Sequence, residues 1–325
     1  MKQTISVVLC TYNGSRYLRE QLDSILGQTC QPLEIIIQDD HSSDDTWAIV
    51  TEYAAKHAFI KVYRNKVNIG VNANFFAAMH RTIGDYIAIS DQDDIWKPEK
   101  LEFQQKAIAG KMLCSAFSKP FSSDGFPVSW DSRLPNYHLL RVLYLGVLPG
   151  HTLFFDRRLL SYLPEGDKCP YFYDWQLQVV AAAAESIVFL PETLVNWRRH
   201  TEAVTATAPT TKALGEGVRY FLTTLLHHGT LQKYIRIRFQ YIDGMLARLP
   251  FCTESLQKGR EMVSLQCRHL DFWKWFRFTV FCVKNRKYLF HSRGSHPCLL
   301  VLRALYYPFS CGWYYRGVLR TKNDF

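Results

Sequence analysis

The sequence predicts an α/β protein, a mostly parallel sheet flanked by helices and followed by a helical, basic C-terminal region. Short apolar runs rich in β-branched residues alternate with segments of helical period from Ile5 to Ile89. Such alternation makes βαβ units and a sheet covered on both faces. Acidic and small polar residues follow three of these runs. Charge is also split along the chain. The whole carries +10, yet residues 231–325 hold 17 Lys+Arg against 5 Asp+Glu, leaving 22 against 24 elsewhere. That asymmetry suggests two functional parts.

Residues 5–9 form the first expected strand. Leu18, Leu22, Ile25 and Leu26 then share one helix face. Residues 33–37 are the second strand, and Asp44 or Ser43 can cap a helix through Ala55. Residues 60–63, 72–82 and 86–89 read as strand, helix and strand. In such sheets ligands bind at the carboxyl ends of the strands. Thr11-Tyr12-Asn13-Gly14, the segment 39–44 and the segment 90–94 therefore share one expected edge. Residues 118–136 are rich in Ser, Pro, Gly and Asp and read as a long loop. Apolar segments resume at 139–148 and 152–155, a helix is expected over 173–184, and 193–197 is strand-like. Residues 205–211 read as a flexible loop or linker, and everything after them as helical.

Composition narrows the class. Charged residues at 21% and aromatics at 14% argue against disorder. The nine Cys residues are odd in number, scattered from Cys10 to Cys311 and without a CxxC pair. They form neither a disulfide framework nor a structural zinc site. Buried thiols in a reducing compartment are expected. The opening MKQTISVVLCTYN reads as a buried strand rather than a signal peptide. No run approaches the roughly 18 apolar residues of a spanning helix. The expected location is the cytosol.

Asp91 and Asp93 are carboxylates one residue apart at an expected strand end. Hard divalent cations such as Mg²⁺ or Mn²⁺ are held by such carboxylates together with phosphate oxygens. An acidic loop capping the helix near Pro98 fits the same short pattern. Context separates the two readings. TYNG, QDDHSSDDT, NIGVNANF, SDQDDIW and YDW occur in that order within residues 4–200. Together they resemble the bacterial family 2 glycosyltransferases, most of all the branch related to rhamnosyltransferases of surface-polysaccharide and O-antigen assembly.

The resemblance implies a GT-A fold, Rossmann-like, with an inverting mechanism. Under it, residues 1–204 form the catalytic domain and 205–325 the helical, basic, aromatic region. Thr11, Tyr12 and Asn13 lie along the nucleotide, and Asp40 bonds a pyrimidine base. Asp91 lies near the ribose or the metal, and Asp93 ligates the metal. Asn68, Gly70 and Asn74 lie near the donor, though a turn and helix start explains them equally. Asp174 is the general base; alone it would read as a residue favoured at a helix N-terminus. Of Arg198, Arg199 and His200, Arg198 contacts the diphosphate and His200 ligates the metal; a solvated basic turn is the plainer account. Gly150-His151-Thr152 is a small-residue turn near the sugar, or else supplies a core histidine. His41 stands where Gly, Asn or Ser is usual. The implied partners are a divalent cation (Mn²⁺ or Mg²⁺), a UDP- or dTDP-sugar donor and a lipid-linked saccharide acceptor. dTDP-rhamnose is one candidate donor; a UDP-hexose or UDP-N-acetylhexosamine is the alternative.

Residues 271–290, DFWKWFRFTVFCVKNRKYLF, interleave Trp and Phe with Lys and Arg. Such a segment can lie in a membrane interface, or pack as an aromatic core helix with a charged outer face. Peripheral attachment at the inner face of the cell membrane is the expectation. No RRM-like, KH-like or helix-turn-helix pattern accompanies the basic residues, so nucleic acid is not an expected partner.

Overall fold

The computed structural model describes residues 3–122, 124–163, 172–201, 228–266, 272–290 and 296–308, without the side chains of 228–234 and 272. Eight strands form one sheet in the order β3-β2-β1-β4-β7-β6-β8-β5. The strands are β1 (Ile5–Thr11), β2 (Glu34–Asp39), β3 (Ile60–Arg64), β4 (Tyr86–Ser90), β5 (Ile95–Trp96), β6 (Leu113–Ser122), β7 (Phe154–Asp156) and β8 (Ile187–Arg199). β3, β2, β1 and β4 are mutually parallel. β7 runs antiparallel to both β4 and β6, β6 is parallel to β8, and β5 is antiparallel to β8. This is the GT-A-like arrangement, a mixed α/β sheet flanked by helices.

Period-two alternation sends the strand residues to two cores. Val8, Ile36, Ile87 and Ile89 join one cluster, while Val7, Leu9, Ile35 and Ile37 join the other. Helix α1 (Ser15–Leu26) seals the second cluster with Leu18, Leu22 and Ile25. α2 (Thr46–Lys56) and α4 (Lys100–Ile108) lie on that face too, through Ile49, Val50, Leu101 and Ile108. α3 (Val71–Met79), α5 (Leu139–Tyr144) and α6 (Tyr173–Ala183) cover the first cluster. Every residue of α6 is buried except Asp174.

Two expectations change. The loop assigned to 118–136 begins later, because residues 118–122 continue β6 and pair with 195–199 of β8. Ser and Pro composition signals a loop, but long-range pairing overrides it; Pro120 is accommodated opposite Trp197 beyond a register shift at residues 116–118. Neither Asp44 nor Ser43 is the N-cap of α2, which is Asp45. The Asp44 carboxylate instead accepts from the Thr46 and Ser15 N–H groups, each at 3.0 Å, and so ties the start of α2 to that of α1.

The C-terminal helices complete the first core. α7 (His228–Ala247) contributes Ile235, Phe239, Ile242 and Leu246, and α8 (Glu254–Gln266) contributes Leu256, Met262 and Val263. α9 (Phe272–Lys284) adds Phe278, Phe281 and Cys282. The short α10 (Arg286–Leu289) and a helix over 297–308 follow. Asn136 anchors this layer by donating to the Lys287, Tyr288 and Phe290 carbonyls. No helix among the described residues is long and apolar enough to cross a membrane. The expected linker at 205–211 lies outside the described residues.

Candidate active site

The carboxyl ends of β1, β2 and β4 deliver three loops to one sheet edge. Gln92 binds the first loop to the third. Its Oε1 accepts from the Tyr12 N–H at 2.8 Å, and its Nε2 donates to the Tyr12 carbonyl at 3.1 Å. Gly14 permits this, since a Cβ there would lie 2.2 Å from Gln92 Oε1. Tyr12 itself is 49% exposed. Asn13 has a left-handed φ of 47°, donates its N–H to Ser42 Oγ and accepts from the Ser43 N–H at 2.8 Å. His41 is also left-handed, at φ 64°, which is the physical reason Gly or Asn suits that position better.

The polar groups of the second loop are densely paired. Thr11 Oγ1 and Ser42 Oγ both donate to Asp39 Oδ1, while Arg64 Nε lies 3.2 Å from Asp39 Oδ2. Asp40 is buried and accepts from Asn65 Nδ2 and the Ile69 N–H through Oδ1, and from the Gly70 N–H through Oδ2. Asn68 Oδ1 accepts from the same Gly70 N–H at 3.1 Å. Asn74 is buried; its Nδ2 donates to the Gln38 carbonyl and its Oδ1 accepts from Asn65 Nδ2. Asn68 and Asn74 therefore hold the loop around Asp40.

The third loop carries the acids. Asp91, Asp94 and His151 bring ligand-capable atoms within 4.8 Å of one another. His151 Nδ1 lies 3.6 Å from Asp91 Oδ2 and 3.8 Å from Asp94 Oδ2, longer than hydrogen bonds. Asp93 pairs separately with His200, Oδ2 to Nε2 at 2.9 Å. Asp94 Oδ1 accepts from the Arg198 N–H at 3.0 Å. Asp94 Oδ2, His151 Nε2 and His200 Nδ1 are buried without hydrogen-bond partners. Burial pushes the Asp94 carboxyl up to about 8, with the Asp93 and Asp91 charges adding to it and His151 opposing. Burial and then Asp91 raise Asp93 despite His200. Burial pulls His151 down, but Asp94 and Asp91 outweigh it and leave the imidazole above its usual value. Crowded carboxylates that repel one another, Asp94 fully buried and Asp91 and Asp93 partly exposed, with imidazole nitrogens beside them and orphaned polar atoms, suit a divalent cation.

Arg198 serves this loop from β8. Its Nε donates to the Asp93 carbonyl at 2.8 Å, its Nη2 pairs with Glu20 at 2.9 Å, and its guanidinium lies over Tyr17 and Phe121. Arg199 is buried over Trp197. Behind Asp94 lies a fully buried Lys100, which donates to Gln104 Oε1 at 2.9 Å and sits 3.8 Å over the Trp96 ring.

Asp174, in the first turn of α6, joins the acids through Gly150. A Cβ at 150 would lie 2.7 Å from Tyr173 Oη and 3.4 Å from Asp174 Cβ. Burial raises the Asp174 carboxyl to about 6; the Trp175 N–H, which it accepts at 2.8 Å, opposes, and the Asp91 charge adds to the rise. The structure thus brings together Asp91, Asp93, His200 and Asp174 at one edge, with Thr11, Tyr12, Asn13 and Asp40 on the adjoining loops. Sequence reasoning missed Asp94 and the approach of His151 to the acids. The third carboxylate of Asp91-Gln92-Asp93-Asp94 was a visible signal; the approach of His151, 57 residues downstream, was not.

Residues 6–159 match the model of the family described as Glycosyl transferase family 2. Over those residues, just under half of its length, the chain is similar to family 2 glycosyltransferases. An uncharacterised protein of Mycobacterium tuberculosis is 33% identical over 211 residues, 62% of this chain and 60% of that protein. The chain thus spans about 60% of the length of this relative. An uncharacterised glycosyltransferase of Rickettsia prowazekii is 28% identical over 228 residues, 64% of this chain and 69% of its own. The cholesterol galactosyltransferase of Borreliella burgdorferi is 32% identical over 141 residues, 42% and 39% of the two chains. Among solved structures, Staphylococcus aureus TarS 1–349 with UDP-GlcNAc aligns at TM-score 0.58 and 16% identity, over 99% of this chain and 92% of that one. The Pyrobaculum calidifontis mannosyltransferase PcManGT, with GDP-Man and Mn²⁺, aligns at 0.51 and 17%, over 100% and 88%. At these identities the likeness is one of fold.

Proposed function

We propose that the family 2 domain makes this protein an inverting, cation-dependent glycosyltransferase. It moves a sugar from a nucleoside-diphosphate sugar to a saccharide hydroxyl. The observation that carries this reading is the approach of Asp174, across Gly150, to the acids after β4. In the proposed reaction the acceptor oxygen bonds the anomeric carbon as the bond from that carbon to the diphosphate oxygen breaks. Asp174, on the face opposite the leaving diphosphate, takes the acceptor proton. A base with a value near 6 is still ionised at neutral pH, yet is more basic than an ordinary aspartate. General base assistance of this kind is worth on the order of 10²–10⁴ in rate.

Asp93 and His200, with Asp91, are the proposed cation ligands, and Asp94 with His151 is a second donor pair sharing Asp91. Mn²⁺ or Mg²⁺, when bound, supplies neutralising charge for the diphosphate. Arg198 positions Asp93 and Asp94 and adds positive charge to this edge. Thr11, Tyr12 and Asn13 line the nucleotide. Asp40 keeps acceptor capacity for a base N–H, because each carboxylate oxygen has two lone pairs. The proposed donor is a UDP- or dTDP-sugar, with dTDP-rhamnose, UDP-hexose and UDP-N-acetylhexosamine as candidates. The proposed acceptor is a lipid-linked saccharide of surface-polysaccharide assembly, met at the inner face of the cell membrane.

The test is binding and hydrolysis of a panel of UDP-, dTDP- and GDP-sugars, with and without Mn²⁺, on wild type, Asp93→Ala and Asp174→Asn. Binding that needs the cation and Asp93, with turnover that needs Asp174, is the expected result. Binding without turnover under every metal condition would favour a noncatalytic donor-binding protein. If no sugar nucleotide binds at all, the glycosyltransferase reading fails.

A further inference from the structure

We infer that the outer faces of α9 and of the helix over 297–308 form a docking surface for an anionic phospholipid membrane. This deepens the membrane part of the proposed function. It rests on that part alone, not on the donor chemistry.

Both helices are apolar on two sides. α9 buries Phe278, Phe281 and Cys282 in the core, yet leaves Trp273 71% and Phe276 49% exposed at i and i+3. The last described helix buries Leu300, Ala304 and Tyr307, while Leu299, Leu302 and Leu305 stand outward at 48%, 60% and 43% exposed. The inner faces join the same core side by side, with the Phe278 and Tyr307 rings 6.0 Å apart. A helix facing water is polar on its outer stripe. Here the outer stripe of the last helix repeats leucine at every third position.

Charge identifies the occupant. Residues 272–308 contain seven Lys and Arg and no Asp or Glu. Arg277 and Lys284 are exposed on the same face of α9 as Trp273 and Phe276, and Arg303 follows Leu302 in the last helix. Apolar side chains for the acyl boundary with cations for the headgroups are the composition of an interfacial helix. A second copy of this chain would bring an equally cationic surface to the same place, which opposes pairing through it. Nucleic acid would satisfy the cations but not the leucines. No described helix can span the bilayer, so the contact is peripheral.

The experiment is co-sedimentation of the full chain with vesicles of phosphatidylcholine alone and of phosphatidylcholine containing phosphatidylglycerol. Each basic residue near an anionic surface is worth roughly fivefold in partitioning. Binding is expected to phosphatidylglycerol vesicles and to weaken roughly twenty-five-fold in Arg277→Gln/Lys284→Gln. Trp273→Ser/Leu302→Ser is expected to lose binding, with circular dichroism and melting unchanged because both residues are exposed. Failure to bind either vesicle overturns the inference. So does a wild type that elutes as a dimer when the Trp273/Leu302 variant is monomeric, which would make this face a self-interface. Neither readout uses donor or cation, so a failure here leaves the glycosyltransferase reading standing, and the reverse also holds.

Discussion

Replacing Gly150 with alanine tests the link between the acids and Asp174. The added methyl would meet Tyr173 Oη at 2.7 Å, well inside the roughly 3.5 Å at which heavy atoms sit comfortably. Tyr173 has little room to yield: it is 4% exposed and stacks on Phe75 at 4.2 Å. The shortfall must therefore be absorbed by the start of α6, where Asp174 is the next residue. A misplacement of about 1 Å costs on the order of 10²-fold in rate, and overpacking costs about 1–3 kcal/mol of stability. Gly150→Ala should then lower donor-hydrolysis kcat by roughly ten- to a hundredfold. Donor Kd by calorimetry should barely change, because the nucleotide loops lie elsewhere. Removing the clashing oxygen offers the rescue: Gly150→Ala/Tyr173→Phe should recover most of the loss, a coupling that a double-mutant cycle reads directly. Wild-type kcat in Gly150→Ala would refute the placement of Asp174 at the reacting centre.

Three further outcomes are expected. In wild type, kcat/KM should fall as pH drops below about 6, because the Asp174 base must be ionised and burial places its value there; Asp174→Asn should lose roughly 10²–10⁴ in kcat while still binding donor. Chelation should abolish donor hydrolysis, and isothermal titration with Mn²⁺ should show weaker binding in Asp93→Ala and His200→Ala; an unchanged Mn²⁺ affinity there, with loss in Asp94→Ala, would move the cation to the Asp91/Asp94/His151 set. Burial pulls the Lys100 amine down to about 7, against about 10.4 in an unfolded chain, so the unfolded state holds the extra proton between these values and stability should rise with pH across them. Lys100→Met should flatten that slope in chemical-denaturation curves, and an equal slope in both proteins would contradict a neutral buried amine.

The parallel half of the fold was legible because its signals are local. Residues 7–10 and 35–37 are short apolar runs within β1 and β2, whose residues are all buried, and Leu18, Leu22 and Ile25 mark a single helical face. The far half depends on pairing between distant segments. Residues 118–122 look like loop until β8 supplies partners nearly 80 positions later. The same limit governs the site. Asp40, Asp91, Asp93 and Asp174 stand in motifs whose order is readable in one dimension. Asp94 looks like a helix-capping residue until its buried, unpartnered oxygen is seen. The ends of the Asn74 amide are taken up by neighbours that no spacing reveals. The tail was legible as aromatic and basic. Which of its aromatics turn inward, as Phe278 and Phe281 do, and which outward, as Trp273 does, follows only from what packs beneath.

The burial of α6 bears on how this protein fails when heated. Asp174 stands in the first turn of a helix whose other residues are all enclosed between the sheet and the C-terminal helices. Amides in such a helix exchange with solvent only when the whole assembly opens, whereas lids and surface loops open at little cost. The carboxylate therefore rides on one of the last pieces to loosen. Activity through Asp174 should persist up to the melting transition and vanish with it, and hydrogen exchange in 175–183 should be as slow as global unfolding allows.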